Sequence, residues 1–360
     1  MRLSIIVPTY NERDNIPILI KKINDTIDFT DFEVIIVDDN SPDETWRVAE
    51  KMKKEYPFLR VIRRINERDL STAVIKGFRQ SKGNILAVMD ADLQHPPKKI
   101  NDMVKKILAG NDIVIGSRYV KRGEIEEWGI IRKIYSKAAT LLAHLFVPQT
   151  RITNDPLSGF FMMKREVIKD IQLTPIGYKI LLEILAKGMF KKVTDEPIIF
   201  KKREKGKSSL GLGVIWIYIK HLFRLSWGNR EIIRILKFTA VGLTGVFVNL
   251  GVLWALTDLG NVYYVLSAIC GIEISIISNF LLNDLWTFKD RKKKGISYWI
   301  NRLLKFNIIS LPSFPMQLVV MGFLNEIFGI YYLLAAFIGI VVVYIWNFVA
   351  NSFWTWKEPR

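Results

Sequence analysis

Val88-Met89-Asp90-Ala91-Asp92-Leu93-Gln94 is the stretch on which the reading of this chain turns. The run before it, Asn84-Ile85-Leu86-Ala87-Val88-Met89, has strand character and delivers two carboxylates separated by one residue. Alternate residues of an extended segment point the same way. On that premise Asp90, Asp92 and Gln94 offer hard oxygen ligands to one divalent ion. Mg2+ or Mn2+ suits such a set, above all where substrate phosphates complete the octahedron. Taken alone, the stretch reads equally as a polar turn between a strand and the helix-like segment opened by Pro96-Pro97. The segments on either side decide between the two.

Residues 3–7 are a short apolar run ended by Pro8, and residues 15–27 carry Ile and Leu at helical spacing. Val34-Ile35-Ile36-Val37 is a buried-strand run ended by Asp38-Asp39-Asn40-Ser41-Pro42-Asp43, and a helical pattern follows to Tyr56. Further strands are expected at 60–63, 85–89 and 113–116, with helices between them. This alternation predicts an α/β fold with a mostly parallel, doubly wound sheet. Ligands of such sheets bind beyond the carboxyl ends of the strands. Polar clusters sit at those ends: Thr9-Tyr10-Asn11-Glu12, Asp38-Asp39-Asn40-Ser41, Asp90-Ala91-Asp92 and Ser117-Arg118-Tyr119. Their shared edge predicts a binding cleft rather than unrelated turns. No Gly-x-x-x-x-Gly-Lys-Ser/Thr loop and no Gly-x-Gly-x-x-Gly after a strand is present, which argues against Walker-type nucleotide binding and a dinucleotide cofactor.

The formal charge of +17 is compatible with nucleic acid or with an anionic membrane surface. The 50% hydrophobic content is unevenly placed and favours the membrane, and the basic residues cluster at expected membrane edges, so no nucleic acid partner is expected. Cys270 is the single cysteine and lies in an apolar run, which excludes an internal disulfide and argues against a metal role. Met1-Arg2-Leu3-Ser4 leads straight into a strand pattern, so no signal peptide is read and the N-terminal part is expected in the cytosol.

Residues 238–257, 259–283, 306–325 and 327–356 contain Glu273 as their one charged residue. Each stretch is long enough to cross about 30 Å of hydrocarbon as a helix, giving four spans, with Pro312 and Pro315 kinking the third. Arg234, Lys237 and Phe238 recur as Arg302, Lys305 and Phe306, and Tyr263-Tyr264 as Tyr331-Tyr332. Asn279, Asn283, Trp286 and Lys289 recur as Asn347, Asn351, Trp354 and Lys357. Each pair is 68 apart (302 − 234, 347 − 279), so two tandem two-helix units make the membrane domain. Lys289, Arg291, Lys292, Lys293, Lys294, Arg302 and Lys305 lie between spans two and three, which predicts both termini in the cytosol. Asn279, Asn283, Asn347 and Asn351 are expected to tie spans together, and Glu273 to be packed and structural. The expected domains are therefore 1–228, cytosolic, and 229–360, an all-α membrane domain.

Residues 124–146 read as a basic amphipathic helix, with Trp128, Ile131, Ile134, Leu141 and Leu145 against Arg132, Lys133 and Lys137. Residues 210–227 read as a second. Both suit the headgroup layer. Arg132 and Ser136 are four apart and share a helix face, so with Arg118 they can bind a lipid phosphate. No carboxylate partner is visible near His221, which reads as interfacial; His95 and His144 have no support as metal ligands. Lys201-Lys202-Arg203-Glu204-Lys205-Gly206-Lys207-Ser208-Ser209 is by itself a solvated charge run.

Pro8-Thr9-Tyr10-Asn11-Glu12, Val37-Asp38-Asp39-Asn40-Ser41-Pro42-Asp43, Asp90-Ala91-Asp92, Gly116-Ser117-Arg118-Tyr119 and Asp155-Pro156-Leu157-Ser158-Gly159-Phe160-Phe161 together resemble the family 2 glycosyltransferases of GT-A fold. More narrowly they resemble the polyprenyl-phosphate glycosyltransferases, the group containing dolichol-phosphate mannose synthase. The tandem membrane module resembles the GtrA-like domain. The resemblance implies that Pro8, Tyr10, Glu12, Val37 and Asp39 hold the nucleoside. It implies that Asp90, Ala91, Asp92 and Gln94 hold the metal and the donor diphosphate. Arg203 and Ser209 become donor residues of a mobile loop, with Lys179 a further donor candidate. Relatives have His-His-Pro where this chain has Gln94-His95-Pro96, and many carry Lys at Ser209, whose charge Lys207 can take over. The implied reaction moves mannose from GDP-mannose to dolichyl phosphate on the cytosolic leaflet of a prokaryotic cell membrane. Asp90, Asp92 and Arg118 are its catalytic residues, and the anomeric centre is inverted. A glucosyltransferase using UDP-glucose is the alternative within the same fold. A lipid transporter or flippase with a regulatory soluble domain is the alternative from another class.

Overall fold

The computed structural model describes residues 2–126, 129–201, 211–228, 231–292 and 295–357. The chain divides into two compact units, Met1–Asn229 and Arg230–Arg360.

The first unit is built on a seven-stranded sheet of order β3-β2-β1-β4-β7-β5-β8. Its strands are β1 Leu3–Thr9, β2 Phe32–Asp38, β3 Leu59–Arg63, β4 Ile85–Val88, β5 Ile113–Ser117, β7 Phe161–Lys164 and β8 Val193–Pro197. Two short strands, β6 Glu124–Ile125 and β9 Ile199–Phe200, pair separately and in parallel. The helices are α1 Asn15–Thr26, α2 Thr45–Met52, α3 Leu70–Gln80, α4 Lys99–Leu108, α5 Ile130–Phe146, α6 Ile180–Lys187 and α7 Leu212–Gly228. β1 is buried along its whole length and β2 along all but its first residue, as expected of Ile/Val runs covered on both faces. Leu19, Ile20 and Ile23 of α1 pack one face; Ala73, Val74 and Phe78 of α3 and Ile180, Leu181 and Ile184 of α6 pack the other.

The expected α/β architecture is present, and two strands of the main sheet, β7 and β8, lie outside the expected set. β7 runs antiparallel between β4 and β5. Phe161 therefore pairs with Val88 and Ile115, the last residues of the β4 and β5 ladders. The segment before β7 is thus delivered to the edge where the parallel strands end. β1 also continues through Pro8 to Thr9 instead of stopping at the proline.

The helix expected over 124–146 begins only at Ile130, behind Gly129. Glu124 N donates to Ile198 O and Glu126 N to Phe200 O, each at 3.0 Å, which fixes the earlier residues as a strand. Trp128 lies outside the described residues. α5 exposes Ile130, Ile131, Ile134 and Tyr135, and α7 exposes Trp216, Phe223 and Trp227.

Among its described residues the second unit has four helical stretches long and apolar enough to span a bilayer: Glu231–Leu259, Tyr264–Thr287, Ile296–Phe328 and Tyr332–Thr355. They contain α8 Glu231–Trp254, α9 Tyr264–Leu282, α10 Ile296–Ser310, α11 Ser313–Phe328 and α12 Tyr332–Ala350. The third stretch breaks before Ser313. Pro312 caps α11 and Pro315 lies in its first turn, where a missing N–H costs nothing, so Pro315 makes no kink of its own.

The 68-residue repeat is visible as repeated contacts. Lys237 lies over Trp286 at 5.3 Å and Lys305 over Trp354 at 5.6 Å. Asn279 packs against Gly245, and Asn347 donates to Ser313 Oγ at 2.9 Å, where 313 − 245 = 68. The expectation for the asparagines is met by Asn347; Asn351 donates to Asn347 O within its own helix. Glu273 is exposed on the unit rather than packed.

Opposite the carboxyl edge of the sheet, Asp112 gathers three strands. Its carboxylate accepts from Lys164 Nζ at 2.9 Å, Lys191 N at 2.8 Å and Lys192 N at 3.0 Å. Burial alone would raise its pKa, but these donors outweigh it and hold it at about 2. A depressed carboxylate stabilises the fold above its unfolded pKa, and the gain is lost as pH falls from about 3.8 to about 2. That gain is worth roughly 2 kcal/mol. Asp112→Asn should therefore be less stable than the parent at pH 5 and approach it at pH 2, followed by denaturant unfolding in detergent. Parallel decline of the two proteins with pH would contradict this.

Candidate active site

The carboxyl ends of β1, β2, β4 and β5 converge, with the segment entering β7 laid across them. β4 stops at Val88, and Leu93 has φ of +63°, so the chain bends through Asp90–Gln94 and is not extended. The alternation argument for Asp90, Asp92 and Gln94 therefore does not hold. The bend instead joins Gln94 to Asp92: Gln94 N donates to Asp92 Oδ1 at 3.2 Å, and Gln94 Nε2 to Lys201 O at 2.8 Å. The amide nitrogen of Gln94 is thus committed, and its carbonyl oxygen is the atom suited to a metal. The Asp90 side chain is about 33% exposed, whereas Asp92, Gln94 and Ala91 are buried.

His95 pins this bend. It is buried, stacks on Phe160 at 5.2 Å, meets Phe200 edge-on at 5.3 Å, and accepts from Asp90 N at 3.4 Å through Nδ1. Burial lowers its pKa to about 4, so it is neutral at pH 7 and can accept. His144 is likewise structural, with Nδ1 3.0 Å from Thr150 Oγ1.

Asp155 is the central anchor. It is fully buried and accepts from Arg118 Nε and Nη2, each at 2.7 Å, and from Arg118 N at 3.1 Å. Ser158 Oγ donates to Gly116 O at 2.7 Å, and Phe160 supplies the platform under His95. Between them, a Cβ on Gly159 would lie 2.7 Å from Asp90 Oδ2, so only glycine lets this backbone approach the carboxylate. Lys179 precedes α6 and donates to Leu157 O at 3.0 Å. Burial lowers its pKa, as does the nearby Arg118 charge, while Asp90 and Asp155 oppose both. Asp90, Arg118, Asp155 and Lys179 are therefore within electrostatic reach of one another.

On the other side of Arg118, Tyr119 OH donates to Ser136 Oγ on α5 at 2.7 Å. Arg132 lies one turn earlier on the same helix and is half-buried, as is Ser136. Of the acceptor residues expected from the sequence, Ser136 is thus joined to Arg118 through Tyr119, and Arg132 shares its helix.

Beyond the carboxyl ends of β1 and β2, Arg68 lies 3.9 Å over the Tyr10 ring. Glu12 Oε2 accepts from Asn15 Nδ2 at 2.6 Å, and Glu12 N donates to Thr45 Oγ1 at 2.9 Å. The buried Asp39 accepts from Arg64 Nε at 2.6 Å and from Asp69 N at 2.9 Å. Burial raises its pKa and the Arg64 charge opposes that shift. The Val37 side chain is fully buried in the core, so its backbone is the part it can offer a ligand. Pro8 is buried within β1.

Arg64, Arg68 and the role of Asp155 were not read from the sequence. The signal for the first was Arg63-Arg64 at a strand's carboxyl end. His221 is a correction: it is fully buried, with Nε2 3.6 Å from Glu183 Oε2, so the carboxylate absent nearby in sequence is supplied by α6. Arg203, Lys207 and Ser209 lie outside the described residues.

Among the described residues no group of three or more His, Cys, Asp and Glu is placed to hold a metal. Two carboxylates, an amide carbonyl and a backbone kept open by Gly159 nevertheless fit a hard cation that takes its remaining ligands from phosphate and water.

Residues 4–172 match the family model of Glycosyl transferase family 2, and residues 237–356 match that of the GtrA/DPMS transmembrane domain. The dolichol-phosphate mannosyltransferase of Pyrococcus furiosus is 43% identical over 356 residues, 99% of each chain. The proteins of that name from Mycosarcoma maydis and Saccharomyces cerevisiae are 32% and 33% identical. They align over 65% and 66% of this chain and 83% and 93% of their own.

Asp155→Asn leaves the Arg118 charge buried and poorly compensated, which should cost roughly 3–5 kcal/mol. Adding Arg118→Met removes the orphaned charge and should restore much of that loss, read from denaturant midpoints in detergent. A double variant no more stable than Asp155→Asn would contradict this account of the pair.

Proposed function

The chain belongs to glycosyltransferase family 2 and carries the GtrA/DPMS transmembrane domain, and on that premise we propose that it transfers mannose from GDP-mannose to dolichyl phosphate at the cytosolic membrane face. The observation that carries this reading is the seat of Arg118. It is clamped by Asp155, lies within electrostatic reach of Asp90, and adjoins the Tyr119–Ser136 hydrogen bond on α5. One guanidinium is therefore shared by the donor edge of the sheet and the helix that takes the acceptor phosphate.

Pro8, Tyr10, Glu12, Asp39 and the Val37 backbone hold the nucleoside. Asp90, Asp92 and Gln94 hold Mg2+ or Mn2+, which supplies charge neutralisation for the departing diphosphate. Arg118 needs no reorganisation to stabilise charge between leaving and attacking phosphates, because Asp155 has already fixed its plane. Arg132 and Ser136 orient the lipid phosphate, and Lys179 and the Arg203–Ser209 segment complete the donor side. The attacking phosphate oxygen is largely ionised at neutral pH and needs no strong general base. The burial of neutral His95 under the bend suits that chemistry. Single displacement inverts the anomeric centre and gives a β-linked product. The exposed apolar residues of α5 and α7 suit a cleft that works in the headgroup layer. Membership of an enzyme family sets the flippase alternative aside.

The test is product formation by the purified protein with short-chain dolichyl phosphate, Mg2+ or Mn2+, and GDP-mannose or UDP-glucose. Mannosyl-lipid formation should depend on the metal and fall at least ~10²-fold in Asp92→Ala. Transfer from UDP-glucose alone would replace the sugar and keep the site. Absence of transfer from any donor by folded protein would overturn the reading.

A further inference from the structure

Glu183 is a fully buried carboxylate on α6 that the proposed chemistry does not use. Its Oε1 accepts from Thr174 N at 2.9 Å and lies 2.5 Å from Lys187 Nζ. Among the described residues its Oε2 has no hydrogen bond. The basic groups facing Oε2, His221 Nε2 and Arg224 Nη2, are each 3.6 Å away and both belong to α7. His221 is itself fully buried, and neither ring nitrogen has a hydrogen-bond partner among the described residues. Arg224 also donates to Thr174 O, so α7 grips the loop before α6 as well as α6 itself.

A buried carboxylate costs several kcal/mol unless paired, and replacing such a cluster by packed apolar residues is often neutral or stabilising. Apolar packing is already present here: Leu222 and Leu225 of α7 lie against Leu182 of α6 and Ala143 of α5. Holding the helices together therefore does not require the charge. The cluster's position suggests what does. Lys179 stands one helical turn before Glu183 and reaches the Asp90–Arg118–Asp155 group. α7 turns the opposite way, exposing Trp216, Phe223 and Trp227. A carboxylate contact directed between two helices fixes the register of one on the other, which apolar contact does only loosely.

We infer that Glu183 is a positioning residue: it fixes α6 against the outward-facing helix α7 through His221 and Arg224, and so sets Lys179 at the donor site. This rests on the reading of Lys179 as a donor ligand. A double-mutant cycle in phosphatidylcholine vesicles separates the two. Lys179→Met should raise the KM for GDP-mannose about tenfold or more. Glu183→Gln should raise it roughly fivefold to tenfold, with kcat and melting temperature near the parent. In the double variant, Glu183→Gln should add almost nothing to Lys179→Met, because its effect passes through that ammonium. His221→Gln, which leaves Glu183 in place, should show the same non-additivity more weakly and carries the test if Glu183→Gln does not fold. A parental KM in Lys179→Met would overturn the donor reading of Lys179 and the inference with it. A raised KM in Lys179→Met, with Glu183→Gln and His221→Gln either silent or fully additive, would overturn the inference alone.

Discussion

Asp155 and Arg118 form the interaction on which the carboxyl edge of the sheet depends. Taking a carboxylate and a guanidinium out of water costs several kcal/mol per ion, and only good geometry offsets it. Here two parallel side-chain hydrogen bonds and a backbone N–H meet one carboxylate. Once that pair is made, the residues after Asp155 have little freedom. Ser158 closes on Gly116, Gly159 passes Asp90, and Phe160 slides under His95. The antiparallel strand β7 then carries the chain away between β4 and β5. The cleft gathers the carboxyl groups of Asp90, Asp92 and Asp155 against the basic groups of Arg118 and Lys179. Such a balance suits the proposed donor site, a divalent cation with a nucleoside diphosphate.

The sequence disclosed five of the six parallel strands of the main sheet, all but β8, and the polar edge, because both depend on local patterns. Ile/Val runs ended by Asp, Asn and Ser mark where covered strands stop, and five motifs in order marked the family. β7 was not legible. Its direction is decided by a ladder with strands more than forty residues away, which no local period records. The start of α5 was misplaced for a related reason, since apolar spacing continues through Glu124 and Ile125 while their backbone bonds go to β9. The premise offered for the metal residues fails: the chain bends at Leu93 instead of running extended, and the bend joins Gln94 to Asp92. Arg64 and the Glu183–His221 contact were hidden because each partner lies on a different element.

The membrane unit shows the reverse case, where sequence repetition predicts contacts directly. Equal spacing made Lys237 and Lys305 equivalent, and each covers the equivalent tryptophan. The repeat is not carried through every pair. Arg302 bonds Asp284 at 2.7 Å, whereas Arg234 pairs with Glu231 and Asp290. Residue 352, which is 68 after Asp284, is a serine, so the repeated position offers no carboxylate and acids from the first unit of the repeat serve instead.

The central claim is that the bend at Asp90–Gln94 and the Asp155-held Arg118 form one donor site. Its most direct test is the position of Mn2+, located by anomalous scattering, in crystals of the protein grown with GDP-mannose. The account predicts one Mn2+ bound by Asp90 and Asp92, bridging to the diphosphate, with Arg118 still paired to Asp155 and facing the phosphates. Mn2+ and nucleotide bound together away from the carboxyl edge of β1, β2 and β4 would contradict it.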